Sequence, residues 1–202
     1  MSASLVLPAA ATEYEVRQQL ARIPITPPAG LFGRLLAWST RKMFGDAPDN
    51  GFAMAHNKRV LFSVLAFEWR VSRWNKLDKN LKTLAVMAVS VDIGCSWCVD
   101  FGYYHAKAEG LDLAKLQQIN NWRDSPAFTD VERHVIEYAK AMSTTPPSVT
   151  DEMVRQLRAE LTDAALVELT MMVALENERS RFNSALGLVA QGFSASCQLP
   201  TR

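Results

Sequence analysis

Leu77-Asp78-Lys79-Asn80-Leu81-Lys82-Thr83-Leu84-Ala85-Val86-Met87-Ala88-Val89-Ser90-Val91-Asp92-Ile93-Gly94-Cys95-Ser96-Trp97-Cys98 is the stretch whose reading decides the fold. Leu81, Leu84, Ala85, Ala88 and Val89 recur at spacings of three and four, the period of one helical face, behind Asp78 as a candidate N-cap. The β-prone run from Ala85 to Val91 lacks turn-bounded alternation and sits inside this longer pattern. The spacing therefore predicts a helix over 77–93 that stops at Gly94. Two cysteines follow within one helical turn of each other, and the break at Gly94 predicts a new helix from Val99 onward. Free amides and the positive end of a helix dipole favour a thiolate there, which makes thiol chemistry the first hypothesis.

Outward from this stretch every periodic segment is helical. Leu31 to Trp38 is amphipathic and stops near Gly45, Asp46 and Pro48, and a second helix is expected from about Met54, carrying Val60, Leu61, Val64, Leu65 and Trp69. The cysteine helix should run to about Glu109, and Leu113 to Trp122 should form a short helix. Thr129 caps a segment containing Val131, Val135, Ile136, Tyr138 and Ala139, Thr150 opens Met153 to Leu161, and Thr162-Asp163 opens a last long helix toward Ala190. No segment reads as a strand, so the expected class is an all-α bundle in a single domain over 31–202. Pro24, Pro27, Pro28 and Gly30 punctuate residues 1–30, which read as an N-terminal arm wrapping that domain.

Lys and Arg number 22 against 21 Asp and Glu, so the near-neutral chain offers no footprint for nucleic acid or an anionic membrane surface. Met1 to Thr12 lacks the basic start of a secretory signal and no apolar run reaches membrane-spanning length, which predicts a soluble cytoplasmic protein. Three cysteines make no disulfide framework, and in a reducing compartment a close pair points to catalysis or metal binding, with two buried small hydrophobes as the bland alternative. A structural metal site needs four ligands, and Cys197, His56, His105 and His134 are scattered, so neither metal nor other cofactor is expected. Cys197 reads as a tail residue, His134 as a solvated helix position and His56 as a surface or capping residue.

Two residues are candidate bases beside the pair. His105 shares a helix face with Cys98 but lies seven residues on, about 10.5 Å along the axis, so it needs a bridging water or substrate. Asp92 precedes Cys95 by three residues and serves only if the Gly94 break turns it inward, where a charged carboxylate would raise the thiol pKa. Glu176, Glu178, Arg179 and Arg181 form either a salt-bridged exposed face, in which Glu178 and Arg181 pair, or a polar cluster buried at a helix or subunit interface. Trp97, Phe101, Tyr103 and Tyr104 form core packing or wall an apolar pocket.

Leu81 to Ala85 leading into Gly94 to Phe101 resembles the core of the carboxymuconolactone decarboxylase and AhpD-like alkyl hydroperoxidase superfamily, and Val167 to Gly187 is similar to the final helix of its peroxidase-related members. The resemblance spans roughly residues 55–192 and implies an AhpD-like helical bundle that assembles into homo-oligomers, trimers or hexamers. It implies a redox-active pair in which Cys98 attacks a small-molecule hydroperoxide and Cys95 resolves, with a protein or small-molecule thiol as reductant. Those members carry a histidine four residues after the second cysteine and a glutamate twelve before the first; Gly102 and Thr83 stand at those positions here. The resemblance equally admits an acid-base enzyme of the decarboxylase type, or a non-catalytic helical oligomer that has lost the proton relay.

Overall fold

In the computed structural model the described residues are 13–194, and they form ten α-helices and no strand. The centre is α5, Lys79–Ile93, with Leu81, Leu84, Ala85, Met87, Ala88 and Val89 all buried. Asp78 caps it by accepting from the amides of Asn80 and Leu81, and Gly94 ends it in the left-handed conformation at φ 80°. Helix α8, Asp130–Ser143, and helix α10, Asp163–Ala185, pack along α5, while α6, Ser96–Ala108, turns back across it. The small side chains Ala85 and Ala88 bring neighbours close on more than one side, which is why α5 is buried almost all round.

Capping fixes the other boundaries. Thr129 and Glu132 make a reciprocal capping box at α8, and Thr150 and Thr162 accept from the amides of Met153 and Ala165 at α9, Asp151–Glu160, and at α10. The predicted helix from Met54 is two helices: α3, Asp49–Ala55, and α4, Lys58–Val71, because the Asn57 side chain accepts from the amides of Arg59 and Val60 and restarts the chain. Leu113 to Trp122 resolves into α7, Leu113–Gln117, followed by a 3-10 turn over Ile119–Asn121. The last helix ends at Ala185 rather than running on toward Ala190, since Gly187 adopts φ +69° and passes so close to the arm that a Cβ there would lie 2.3 Å from the Leu20 carbonyl oxygen.

Residues of the arm lie over the same end of the molecule. Helix α1, Glu13–Leu20, is tied to α3 by the Arg17 to Asp49 ion pair at 2.9 Å. The Arg22 amide donates to the Leu186 carbonyl at 2.8 Å, and the Arg22 guanidinium donates to the Ala185 carbonyl at 2.6 Å, satisfying the open end of α10. Helix α2, Leu31–Phe44, matches its predicted span, and Leu31, Leu35, Trp38 and Met43 on it are exposed. Cys197 lies outside the described residues.

Candidate active site at the start of the cysteine helix

The cysteine helix begins three residues earlier than predicted, at Ser96, because Cys95 itself is the N-cap. Its Sγ occupies the place usually held by a capping oxygen and accepts from the Cys98 amide at 3.2 Å. Cys98 thus sits in the first turn, where free amides and the helix dipole act on it. The two cysteines form a disulfide with Cα atoms 5.3 Å apart. Cys95 is 1% exposed and Cys98 6%, in a shell made by Ile25, Ala53, Trp97 and Leu188, so arm, α3 and post-α10 segment all cover the sulfurs.

One polar side chain enters this apolar shell. Asn183, on α10 and 1% exposed, donates from Nδ2 to Cys98 Sγ at 3.3 Å and approaches Cys95 Sγ at 3.9 Å, while its Oδ1 has no hydrogen-bond partner. Glu176 and Ser180 lie seven and three residues earlier on the same face. The buried Glu176 carboxylate accepts from the Ser90 and Ser180 hydroxyls, each at 2.8 Å, and Ser90 in turn receives the Cys95 amide on its carbonyl at 3.0 Å. Burial pushes the Glu176 carboxyl above its ordinary value, outweighing the opposing pull of Arg179 and the two hydroxyls. Folded protein therefore holds this proton more tightly than unfolded chain does, a stabilisation complete below the ordinary value near 4.5 and lost as pH rises through the folded one. Glu176→Gln is expected to leave the melting temperature unchanged near pH 4.5 and to raise it by about 2–4 °C at pH 8, read by thermal denaturation across that range.

The charged set divides between both readings. Glu176 is buried and Arg179 clamps Glu68 of α4 through two bonds of 2.8 and 2.6 Å, whereas Glu178 is exposed and Arg181 donates to the Ser143 carbonyl and to Asn177 instead of pairing with it. Asp92 is exposed and pairs with Lys140 at 2.6 Å, and His105 is 60% exposed beside Glu109 at 3.7 Å. His56 bonds the Pro24 carbonyl and His134 bonds Glu160. The structure brings Cys95, Cys98 and Asn183 together and sends these other groups to different partners.

Gly102, where the resemblance expects a histidine, lies against the Met87 side chain of α5. A Cβ there would lie 2.4 Å from the Met87 Sδ, so any larger residue requires this flexible thioether to shift. Thr83 lines a cleft of about 150 Å³ with Asn80, Asp112 and Lys115, facing α7 rather than the apolar shell of the cysteines.

Beside the pair runs a row of aromatic rings. Trp97 stacks on Phe101 at 5.0 Å, Phe101 on Tyr104 at 5.8 Å, and Phe193 meets all three edge-on or tilted. Tyr103 is buried in the main core instead. The segment carrying Phe193 is strapped to α6 by Asp100, whose buried carboxylate accepts the amides of Gln191, Gly192, Phe193 and Ser194 and the Ser194 hydroxyl at 2.6–3.1 Å. Gln191 adds a bond from Trp97 Nε1 at 2.8 Å. Asp100 and Asn183 escaped prediction as site residues because each works through partners about ninety residues away in sequence.

Residues 60–141 match the carboxymuconolactone decarboxylase family. The chain is 32% identical over 184 residues to the uncharacterized protein YnjA of Escherichia coli (strain K12), covering 91% of this chain and 96% of that one. Among solved structures it is similar to the AhpD core of an uncharacterized peroxidase-related protein from Ralstonia eutropha JMP134, with TM-score 0.73, 16% identity, and 86% and 94% of the two chains covered. A variant of the debrominase Bmp8 bound to 2,3,4-tribromopyrrole superposes with TM-score 0.74 at 16% identity, covering 87% and 96%. With its AhpD-like helical bundle and paired cysteines at the start of α6, the chain belongs to the carboxymuconolactone decarboxylase family.

Proposed function

We propose that the protein is a thiol-dependent peroxidase-like oxidoreductase in which Cys98 attacks a hydroperoxide and Cys95 closes the disulfide. The observation that carries this reading is the pair itself: two sulfurs in bonding contact at a helix N-terminus, under an apolar cover. The overall reaction balances as one hydroperoxide and two thiols giving an alcohol, water and a disulfide, which a protein or small-molecule dithiol then reduces by exchange. Titration of free thiols after adding one equivalent of cumene hydroperoxide to the reduced protein tests it. Loss of two thiols per chain is expected, and retention of both within minutes would exclude the reading.

A second reading comes from the aromatic row beside the sulfurs, which suits a flat ring. It is the thiol-driven removal of halogen from an aromatic compound, in which a carbon–halogen bond and two thiols become a carbon–hydrogen bond, hydrogen halide and a disulfide. Bromide release from a brominated pyrrole, with the thiols inert to hydroperoxide, would favour it over the first. Both readings place the protein in a homo-oligomer, a proposal supported by the exposed apolar residues Trp38 and Met43 on α2 and Phe62, Leu65 and Trp69 on α4.

A further inference from the structure

The sequence offers no base where the resemblance expects one, yet the structure aims a different group at the attacking sulfur. Sulfurs joined in a disulfide only accept hydrogen bonds, so the Asn183 amide must face them with Nδ2, as it does, and this turns Oδ1 away without a partner. A buried amide oxygen left unpaired costs free energy and marks a place where a hydrogen-bond donor belongs. The surrounding shell supplies none: Ile25, Ala53 and Leu188 are apolar, and the Trp97 indole N–H is taken by Gln191. Carboxyls on the packed elements are engaged elsewhere: Asp100 by the strap amides, Asp49 by Arg17, and Glu176 by Ser90 and Ser180.

Building on the hydroperoxide reading, we propose that Asn183 is a catalytic residue that acts without moving a proton: its Nδ2–H holds the Cys98 thiolate and its Oδ1 accepts the O–H of the incoming hydroperoxide. The Cys98 thiolate attacks the terminal, hydrogen-bearing oxygen; the O–O bond breaks, an S–O bond forms, and the alkoxide leaves. Oδ1 stays bonded to the same hydrogen, first in the hydroperoxide and then in the sulfenic acid. The alkoxide takes its proton from the Cys95 thiol. Cys95 as thiolate then attacks Cys98 Sγ and expels hydroxide, which becomes water with the proton Cys98 shed on ionising.

The test uses the full chain with Cys197→Ser, reduced with dithiothreitol, and compares Asn183→Ala and Asn183→Asp with the parent. Iodoacetamide labelling of Cys98, followed by mass spectrometry across pH, reports the thiolate without any peroxide. Removing the donor should move the midpoint up by about one pH unit and slow labelling at pH 7 about tenfold, and the same-shaped aspartate should move it further, since a carboxylate opposes the thiolate. Sulfenic acid formation with cumene hydroperoxide should fall about a hundredfold in Asn183→Ala, more than labelling does, because the contact to substrate is lost as well. A purely packing role would leave the midpoints in place, and unchanged midpoints overturn the proposal. If Asn183→Ala gives no cooperative melt, the similarly sized, uncharged Asn183→Leu, which removes the donor and adds no charge, decides by the same criterion. A parent protein inert to hydroperoxide overturns the functional reading instead, so the two failures are told apart.

Discussion

Cys98→Ser is expected to lower hydroperoxide consumption at least about a thousandfold, because the other sulfur at the helix start, Cys95, is 1% exposed and held as the cap of α6. Cys95→Ser should behave differently, giving a single turnover that leaves Cys98 as a sulfenic acid, detectable as a dimedone adduct. The asymmetry follows from position. Cys95 Sγ is used by the backbone as the cap of α6 and is 1% exposed, whereas Cys98 is 6% exposed and is the closer of the two to the Asn183 amide, at 3.3 against 3.9 Å. Steady-state rates with cumene hydroperoxide and adduct masses on both variants check it. The reverse pattern, with the adduct on Cys95, would assign the attack to the other sulfur.

Asp100→Ala should detach the strap over residues 191–194, at a cost of about 2–4 kcal/mol. Five donors converge on that carboxylate, and alanine leaves them without an acceptor in a place water reaches poorly. Gln191 would leave with the strap, so Trp97 would lose its indole partner and Phe193 would leave the aromatic row. The expected signs are faster proteolytic cleavage near residue 192 and at least about tenfold faster reduction of the Cys95–Cys98 disulfide by dithiothreitol. Equal cleavage and reduction rates in variant and parent would show that the strap is held by other contacts.

How much of this was legible in the sequence depended on the range of the interactions involved. Helix α5 could be read from Asp78 and the leucine and alanine spacing because capping and periodicity are local, and so could the capped starts of α8, α9 and α10. The break at Asn57 was hidden because a capping asparagine and a solvated helical one look alike until the chain direction changes. Around the cysteines, spacing revealed the pair but pointed to Val99 as the helix start, since a sulfur acting as N-cap lies outside the usual capping set. Asp92 was nominated by nearness along the chain and His105 by sharing a helix face with Cys98; in the fold Lys140 and Glu109 face them. Asn183 comes from α10, and nothing in a single chain's pattern says which face of that helix meets the cysteine turn.

The sulfur cap of α6 ties the redox state to the backbone. In the reduced pair the Cys98 thiolate puts negative charge in the first turn that Cys95 caps, and charge of that sign at a helix N-terminus is favourable by about 0.3–1 kcal/mol. Whatever reduction does to firm the first turn, the first turn must return in kind by reciprocity. A substitution at the exposed Ser96 that frays this turn would therefore shift the thiol–disulfide balance toward the oxidised form without touching either sulfur, making helix propensity itself a control on how readily the protein accepts electrons.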